Sequence, residues 1–145
     1  MHGRSSPAFT SNSGSRPDPM NMLLLATAGG AIGAGTRHLV NVGMARAFGT
    51  AFPWGTLTVN LVGSLLMGVL VELLVLRYSG SAPLRAFLGT GFLGGFTTFS
   101  AFSLDIYALG ERGETGLALA YAAGSVLAGL AALYAGIALV RAVLS

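Results

Sequence analysis

Cysteine and lysine are both missing from this sequence, and charge of either sign is scarce. Without cysteine there is no disulfide, no thiolate metal site and no cysteine nucleophile. The only histidines are His2 and His38, so one chain cannot assemble a histidine-built zinc site. No nucleophile–base pair and no metal cluster stands out, and an enzyme is the least expected reading. The formal net charge of +3 comes from arginines that are scattered rather than gathered, which argues against a nucleic-acid partner. Charged residues make up 9% of the 145, against roughly 25% in soluble domains. A chain so poor in charge cannot face water over its whole surface, so lipid must cover much of it.

What is present fits that conclusion. Hydrophobic residues make up 53% of the chain, and the mean hydropathy is +0.72. Residues 1–20 differ from the rest: they are rich in Ser, Gly and Pro and carry Arg4, Arg16 and Asp18. They lack the apolar mass to fold and are expected to form a disordered tail, with Met20 and Met22 as alternative starts. The apolar run from Met22 is too long for the core of a signal peptide and reads as a membrane span. Residues 21–145 then form one domain of four transmembrane helices, at about 22–42, 55–76, 84–109 and 115–140. Each meets the roughly 20 residues that a 30 Å hydrocarbon core requires. Trp54 and Tyr78 fall where interfacial aromatics belong. The expected fold is an all-α, multi-pass membrane protein.

Small residues recur four apart at Gly29/Gly33, Ser64/Gly68, Gly91/Gly95 and Ser125/Gly129. Such pairs let helix backbones approach closely in lipid. Arginines are nearly balanced across the membrane. Arg77, Arg85 and Arg141 lie on the N-terminal side, and Arg46 and Arg112 on the other, with Arg37 near that end of the first span. A balanced chain inserts both ways, unless the tail arginines fix one orientation.

One segment carries the chemistry. The third span contains Gly94-Gly95-Phe96-Thr97-Thr98-Phe99-Ser100-Ala101-Phe102-Ser103. Two glycines and two threonines weaken a helix there, and a mid-membrane break releases backbone groups that survive only when buried, wetted or bound to an ion. Phe99, Phe102 and Ser103 share a face beyond it. The positive edge of a phenyl ring favours an anion weakly, without a charge that would trap it. Asn60, deep in the second span, offers two N–H donors to a small anion or to a neighbouring helix. Arg37 is expected to end the first span, either at a pore mouth or reaching for headgroups. Tyr121 and Ser125 share a face of the fourth span, and Thr58 joins the pore candidates.

Three motifs in order resemble the Fluc (CrcB) fluoride channel family. They are the run from Gly94 to Ser103, Gly29-Gly30-Ala31-Ile32-Gly33-Ala34-Gly35-Thr36-Arg37, and Pro53-Trp54-Gly55-Thr56-Leu57-Thr58-Val59-Asn60. The resemblance implies a fluoride-specific channel for passive export across the cell membrane. It implies an antiparallel, dual-topology homodimer, with a heterodimer of homologues as the other arrangement. It makes Phe99 and Phe102 the pore rings, with Asn60 nearby and a hydroxyl track through Ser103, Tyr121 and Ser125. It also implies a structural sodium ion between subunits, held by the backbone carbonyls of Gly94 and Thr97. Ala101 departs from the family pattern, where Thr is usual. In the fourth span Gly129 and Leu133 stand where more hydroxyls are expected, so the track is expected to be shorter or water-filled. Rival readings are a proton-coupled small multidrug exporter, which needs a buried carboxylate, and a non-transporting membrane scaffold. Glu72 and Asp105 lie near span ends, where both are expected to reach the interface.

Overall fold

The computed structural model describes residues 18–144. Most of the expected tail, residues 1–17, lies outside the described residues. Four long helical stretches follow: α1 (Pro19–Phe48), α2 (Trp54–Leu76), α3 (Ala82–Glu111) and α4 (Thr115–Leu144). Thr97 and Thr98 interrupt α3, leaving halves at residues 82–96 and Phe99–Glu111. There is no strand among the described residues.

α1 begins three residues before the expected start at 22 and runs six beyond the expected end at 42. The early start has a local cause. The Asp18 carboxylate accepts from the Met20 N–H at 3.0 Å, and Pro19 takes a first-turn position where a missing N–H costs nothing. Gly49 ends the helix with a φ of 77°, in the left-handed region that favours glycine. α2, α3 and α4 are long and apolar enough to cross a membrane. α1 matches α4 in length but falls short of that apolarity, since it carries Arg37, His38 and Asn41 in its second half.

Small residues set the packing, as expected, and two sets of them face each other. Gly29 lies against the backbone of Phe87 and Phe92, and Gly33 against that of Phe92 and Phe96. Gly95 lies against the backbone of Gly30, and Gly91 against Ala26 and Gly29. A side chain at any of these four glycines would collide with main chain, which cannot rotate away. The other pairing differs from expectation. α2 runs parallel to α4, with Gly68 against the backbone at Leu133 and Ile137. The reciprocal close approach on α4 is Gly136, against Leu65 and Val69, rather than Gly129.

The first half of α3 holds a feature with no sequence signature. Arg85–Leu93 is π-helical over nine residues, and the Gly94 N–H reaches back five residues to the Gly89 carbonyl. Such wide turns are rare and usually short. Phe87, Gly91 and Phe92, which meet the α1 glycines, all lie within it.

Glu72 and Asp105 both find partners on α4. Glu72 is buried, and Arg141 grips it through Nε at 2.9 Å and Nη2 at 3.2 Å. Asp105 is half-buried and accepts from the Tyr121 hydroxyl at 3.3 Å. At the far end, Arg112 Nη2 donates to the Ala51 carbonyl at 2.7 Å, tying the α3–α4 turn to the α1–α2 loop.

Candidate functional site

The break in α3 falls on the two threonines, just after the glycine pair. Gly94–Phe96 remains helical, whereas Thr97 (φ −79°, ψ 160°) and Thr98 (φ −153°, ψ 122°) are extended. Branched threonine tolerates extended backbone well, and its hydroxyl offers the main chain another partner. Thr97 Oγ1 donates to the Leu93 carbonyl at 2.9 Å, closing the first half. Thr98 Oγ1 accepts from the Ala101 N–H at 3.2 Å, which caps the second half.

Two helices grip the break from outside. Asn60 of α2 pairs with Thr98 in both directions. Its Oδ1 accepts from the Thr98 N–H at 2.9 Å, and its Nδ2 donates to the Thr98 carbonyl at 3.1 Å. The amide thus replaces the strand partner that extended backbone would seek. One of its two N–H donors is committed to this pairing and one remains. Arg37 of α1 approaches from the other side, donating from Nη1 to the Thr97 carbonyl at 3.4 Å. α1 continues for about three turns beyond Arg37, and the side chain turns toward the break, a contact not anticipated from sequence.

These bonds account for the released carbonyls. In a continuous helix Gly94 would accept from the Thr98 N–H, and Thr97 from the Ala101 N–H. Both donors go elsewhere, to Asn60 and to the Thr98 hydroxyl. Gly94 is exposed and Thr97 half-buried. Neutral hard oxygens of this kind suit an alkali cation.

Beside the break lies a groove of about 410 Å³ that brings together Asn60, Thr97, Thr98, Phe99 and Ser125. Ser125 Oγ is buried with no hydrogen-bond partner among the described residues, which is uncommon for a buried hydroxyl. Ser125 also lines a second cavity of about 310 Å³, where it joins Tyr121 and Phe52. Ser125 thus borders both spaces, the second of which is otherwise lined almost wholly by apolar side chains. Thr58, two residues from Asn60, lines neither space.

The two phenylalanines occupy unlike positions. Phe99 is 79% exposed, and Phe102 only 8%. Their ring centroids are 5.7 Å apart with the planes tilted by 46°. Phe102 also contacts Tyr121 at 5.4 Å, and Phe52 meets that ring edge-on at 5.4 Å. Ser103 is exposed, and its Oγ donates to the Phe99 carbonyl of its own helix at 2.9 Å. Thr98 as the hub of these bonds is not anticipated from sequence, although a threonine directly ahead of an amphipathic stretch is a capping signal. Asp105 as partner of Tyr121 is not anticipated either, since 16 positions separate them.

Residues 24–137 match the family model for CrcB-like proteins, described as camphor resistance (CrcB). A protein of Chelativorans sp. (strain BNC1) named fluoride-specific ion channel FluC is 54% identical over 125 residues, which is 86% of this chain and all of that protein. One from Nitrobacter hamburgensis, named fluoride-specific ion channel FluC 2, is 55% identical over 84% of this chain and 98% of its own length. A FluC from Cereibacter sphaeroides (strain ATCC 17029 / ATH 2.4.9) is 57% identical over 84% of this chain and 96% of its own.

Proposed function

The chain belongs to the CrcB family, and we propose that it is a fluoride-specific ion channel giving passive export from the cytoplasm across the plasma membrane. The observation that carries the reading is the broken α3, with Phe99 lining a groove that holds Asn60 and a Ser125 hydroxyl unpartnered among the described residues, and Phe102 against Phe99. Hydrogen fluoride is a neutral weak acid that crosses membranes, ionises at neutral pH and is trapped. An interior-negative potential then drives the anion out with roughly 2.3 kcal/mol per charge per 100 mV. A pore is enough, with no coupling ion, no ATP and no enzymatic step.

The pore's task is to replace fluoride's hydration without holding the ion too long. The remaining Asn60 N–H and the Ser125 hydroxyl are compact donors. The edges of the phenyl rings add a weak, non-trapping attraction. The functional unit is an antiparallel homodimer, in which α1 serves as the fourth span. Supporting this, Gly94, Phe99 and Ser100 are all exposed in the single chain, and arginines are nearly even across the membrane. A heterodimer with a homologue is the other outcome. It is recognised by C-terminal accessibility tags that label one side of the membrane only.

A structural sodium ion between the subunits belongs to the same proposal. The carbonyls of Gly94 and Thr97 from each subunit would hold it. When bound, it would supply positive charge that fixes the dimer and offsets the cost of fluoride nearby. The exporter reading is less favoured, because the two carboxylates it would need are both engaged, Glu72 by Arg141 and Asp105 by Tyr121. The test is efflux from liposomes holding the purified chain alone. Fluoride should leave and chloride should not; equal release of both, or of neither, overturns the proposal.

A further inference from the structure

We infer that the groove between α2 and the first half of α3 holds an anionic phospholipid, with one acyl chain along α2 and the phosphate at Arg85. The groove measures about 350 Å³. Met67, Leu70, Val71, Leu74 and Val75 form one wall, and Arg85 and Gly89 line the other. The α2 residues recur at spacings of three and four, so they make one continuous apolar stripe. From Met67 to Val75 the stripe runs about 12 Å, against roughly 15 Å for one leaflet of the hydrocarbon core.

The opening has a structural cause. Close glycine contacts draw the first half of α3 onto α1, and Gly89 offers α2 no side chain. A Cβ there would stand 3.6 Å from Leu70 Cδ2, an ordinary contact, so a side chain at this position would begin to fill the groove. Val71 and Val75 are left exposed. A space with such apolar walls does not hold water, and in a membrane the apolar material at hand is lipid.

Arg85 makes the site selective. Its stem lies over Gly89, where an added Cβ would come within 3.9 Å of Arg85 Cγ. Its guanidinium lies by the α2–α3 loop, where a Cβ at Gly80 would be 3.7 Å from Nη2. The side chain thus runs from the groove to headgroup level. The ion pairs among the described residues are Arg112–Glu114 and Arg141–Glu72, and neither includes Arg85. The carboxylates at this end are engaged: Asp18 caps α1, and Glu72 is held by Arg141. A guanidinium fork matches phosphate oxygens, and a net negative headgroup adds an attraction that a zwitterionic one lacks.

The purified full chain is melted in neutral detergent at graded phosphatidylglycerol, and separately at graded phosphatidylcholine with the same acyl chains. A lipid that binds only the folded state raises the melting temperature. The half-maximal concentration should be about fivefold lower for phosphatidylglycerol. Arg85→Gln, at an exposed position, should erase that preference, whereas Arg46→Gln at the far end of α1 should keep it. Val71→Trp, which sets an indole into the groove from an exposed site, should weaken the response to both lipids. Glycerol phosphate, a headgroup without chains, should leave the melting temperature unchanged. Equal responses of the parent to the two lipids overturn the inference, as does a preference that survives Arg85→Gln or is lost equally in Arg46→Gln. It is also overturned by an unchanged response in Val71→Trp, by a rise that glycerol phosphate reproduces, or by no lipid response at all, the result expected if a second copy of the chain covers the groove.

Discussion

The two halves of α3 follow one another in sequence and are held by opposite means. Residues 82–96 are locked by backbone: a π-helical stretch lies against α1 through Gly29, Gly33, Gly91 and Gly95, with no room for a side chain. Residues 99–111 are held by side chains: Phe102 and Leu109 pack on Ala118 and Tyr121, and Phe99 and Ser103 stay exposed. Position is fixed by the first half, and chemistry is presented by the second. Thr97 and Thr98 join them and are gripped by Arg37 and Asn60. A rigid half beside a displayed half is what a pore needs if its rings must sit at a set depth without being buried.

The contrast breaks most severely on the backbone-locked side. Gly33→Leu would drive a side chain into the Phe92 carbonyl and the Phe96 amide, and neither can rotate away. Overpacking of this kind costs about 1–3 kcal/mol where neighbours can yield, and more where they are main chain. We expect no folded protein to be recovered on size exclusion. Gly43→Ala, also within α1, meets nothing within 4 Å and should raise the melting temperature slightly, since Gly costs roughly 0.5–1 kcal/mol relative to Ala in a helix. Equal behaviour of the two variants would show that α1 does not depend on glycine contact.

On the displayed side, stability and function should separate. Phe102→Ala removes a buried ring and should cost about 3–5 kcal/mol. Phe99→Ala removes an exposed ring, so the single chain loses little, yet fluoride efflux should drop by about tenfold or more if the ring lines the pore. Melting and efflux on both variants decide this. A Phe99→Ala chain that conducts like the parent would remove Phe99 from the pore.

Which parts are legible in the sequence follows from the same division. Spans are written in long apolar runs, so α2, α3 and α4 appear near their expected places. Glycine spacing marks Gly29/Gly33 and Gly91/Gly95, because small residues four apart have one main use in lipid. The π-helix is not legible, since its hydrogen-bond pattern depends on what α1 presses against it. The Arg37 contact with the break is not legible either, because Thr97 lies 60 residues on. The partner of Glu72 is not legible because it lies 69 residues away. Asn60 is legible as a site and not as a brace, for the same reason: Thr98 is 38 residues on.

A smaller effect is expected at the junction. Asn60→Asp keeps an acceptor for the Thr98 N–H but sets a second carboxylate oxygen against the Thr98 carbonyl, where the amide had donated. The lost bond and the mismatch should cost about 1–3 kcal/mol. Fluoride efflux should cease, because the fixed negative charge repels the anion. An Asn60→Asp chain as stable and as conductive as the parent would show that neither the brace nor the donor matters.

The smallest effect is expected at Ser103. Its hydroxyl is exposed, and it donates to the Phe99 carbonyl within the same helix. A serine bonded back to its own turn contributes little to stability, so Ser103→Ala should shift melting by less than about 0.5 kcal/mol in equivalent free energy. Its effect on conduction discriminates between two roles. If the hydroxyl serves only its own turn, fluoride efflux should stay within about twofold of the parent, as the Phe99 ring keeps its place. If it rotates to meet the ion, as a hydroxyl hydrogen readily can, efflux should fall well beyond that while the melting curve stays put. The local bond at 2.9 Å favours the first outcome. The same measurement on Ser125→Ala supplies the contrast: that hydroxyl is buried with no hydrogen-bond partner among the described residues, and its loss should slow fluoride without destabilising the fold.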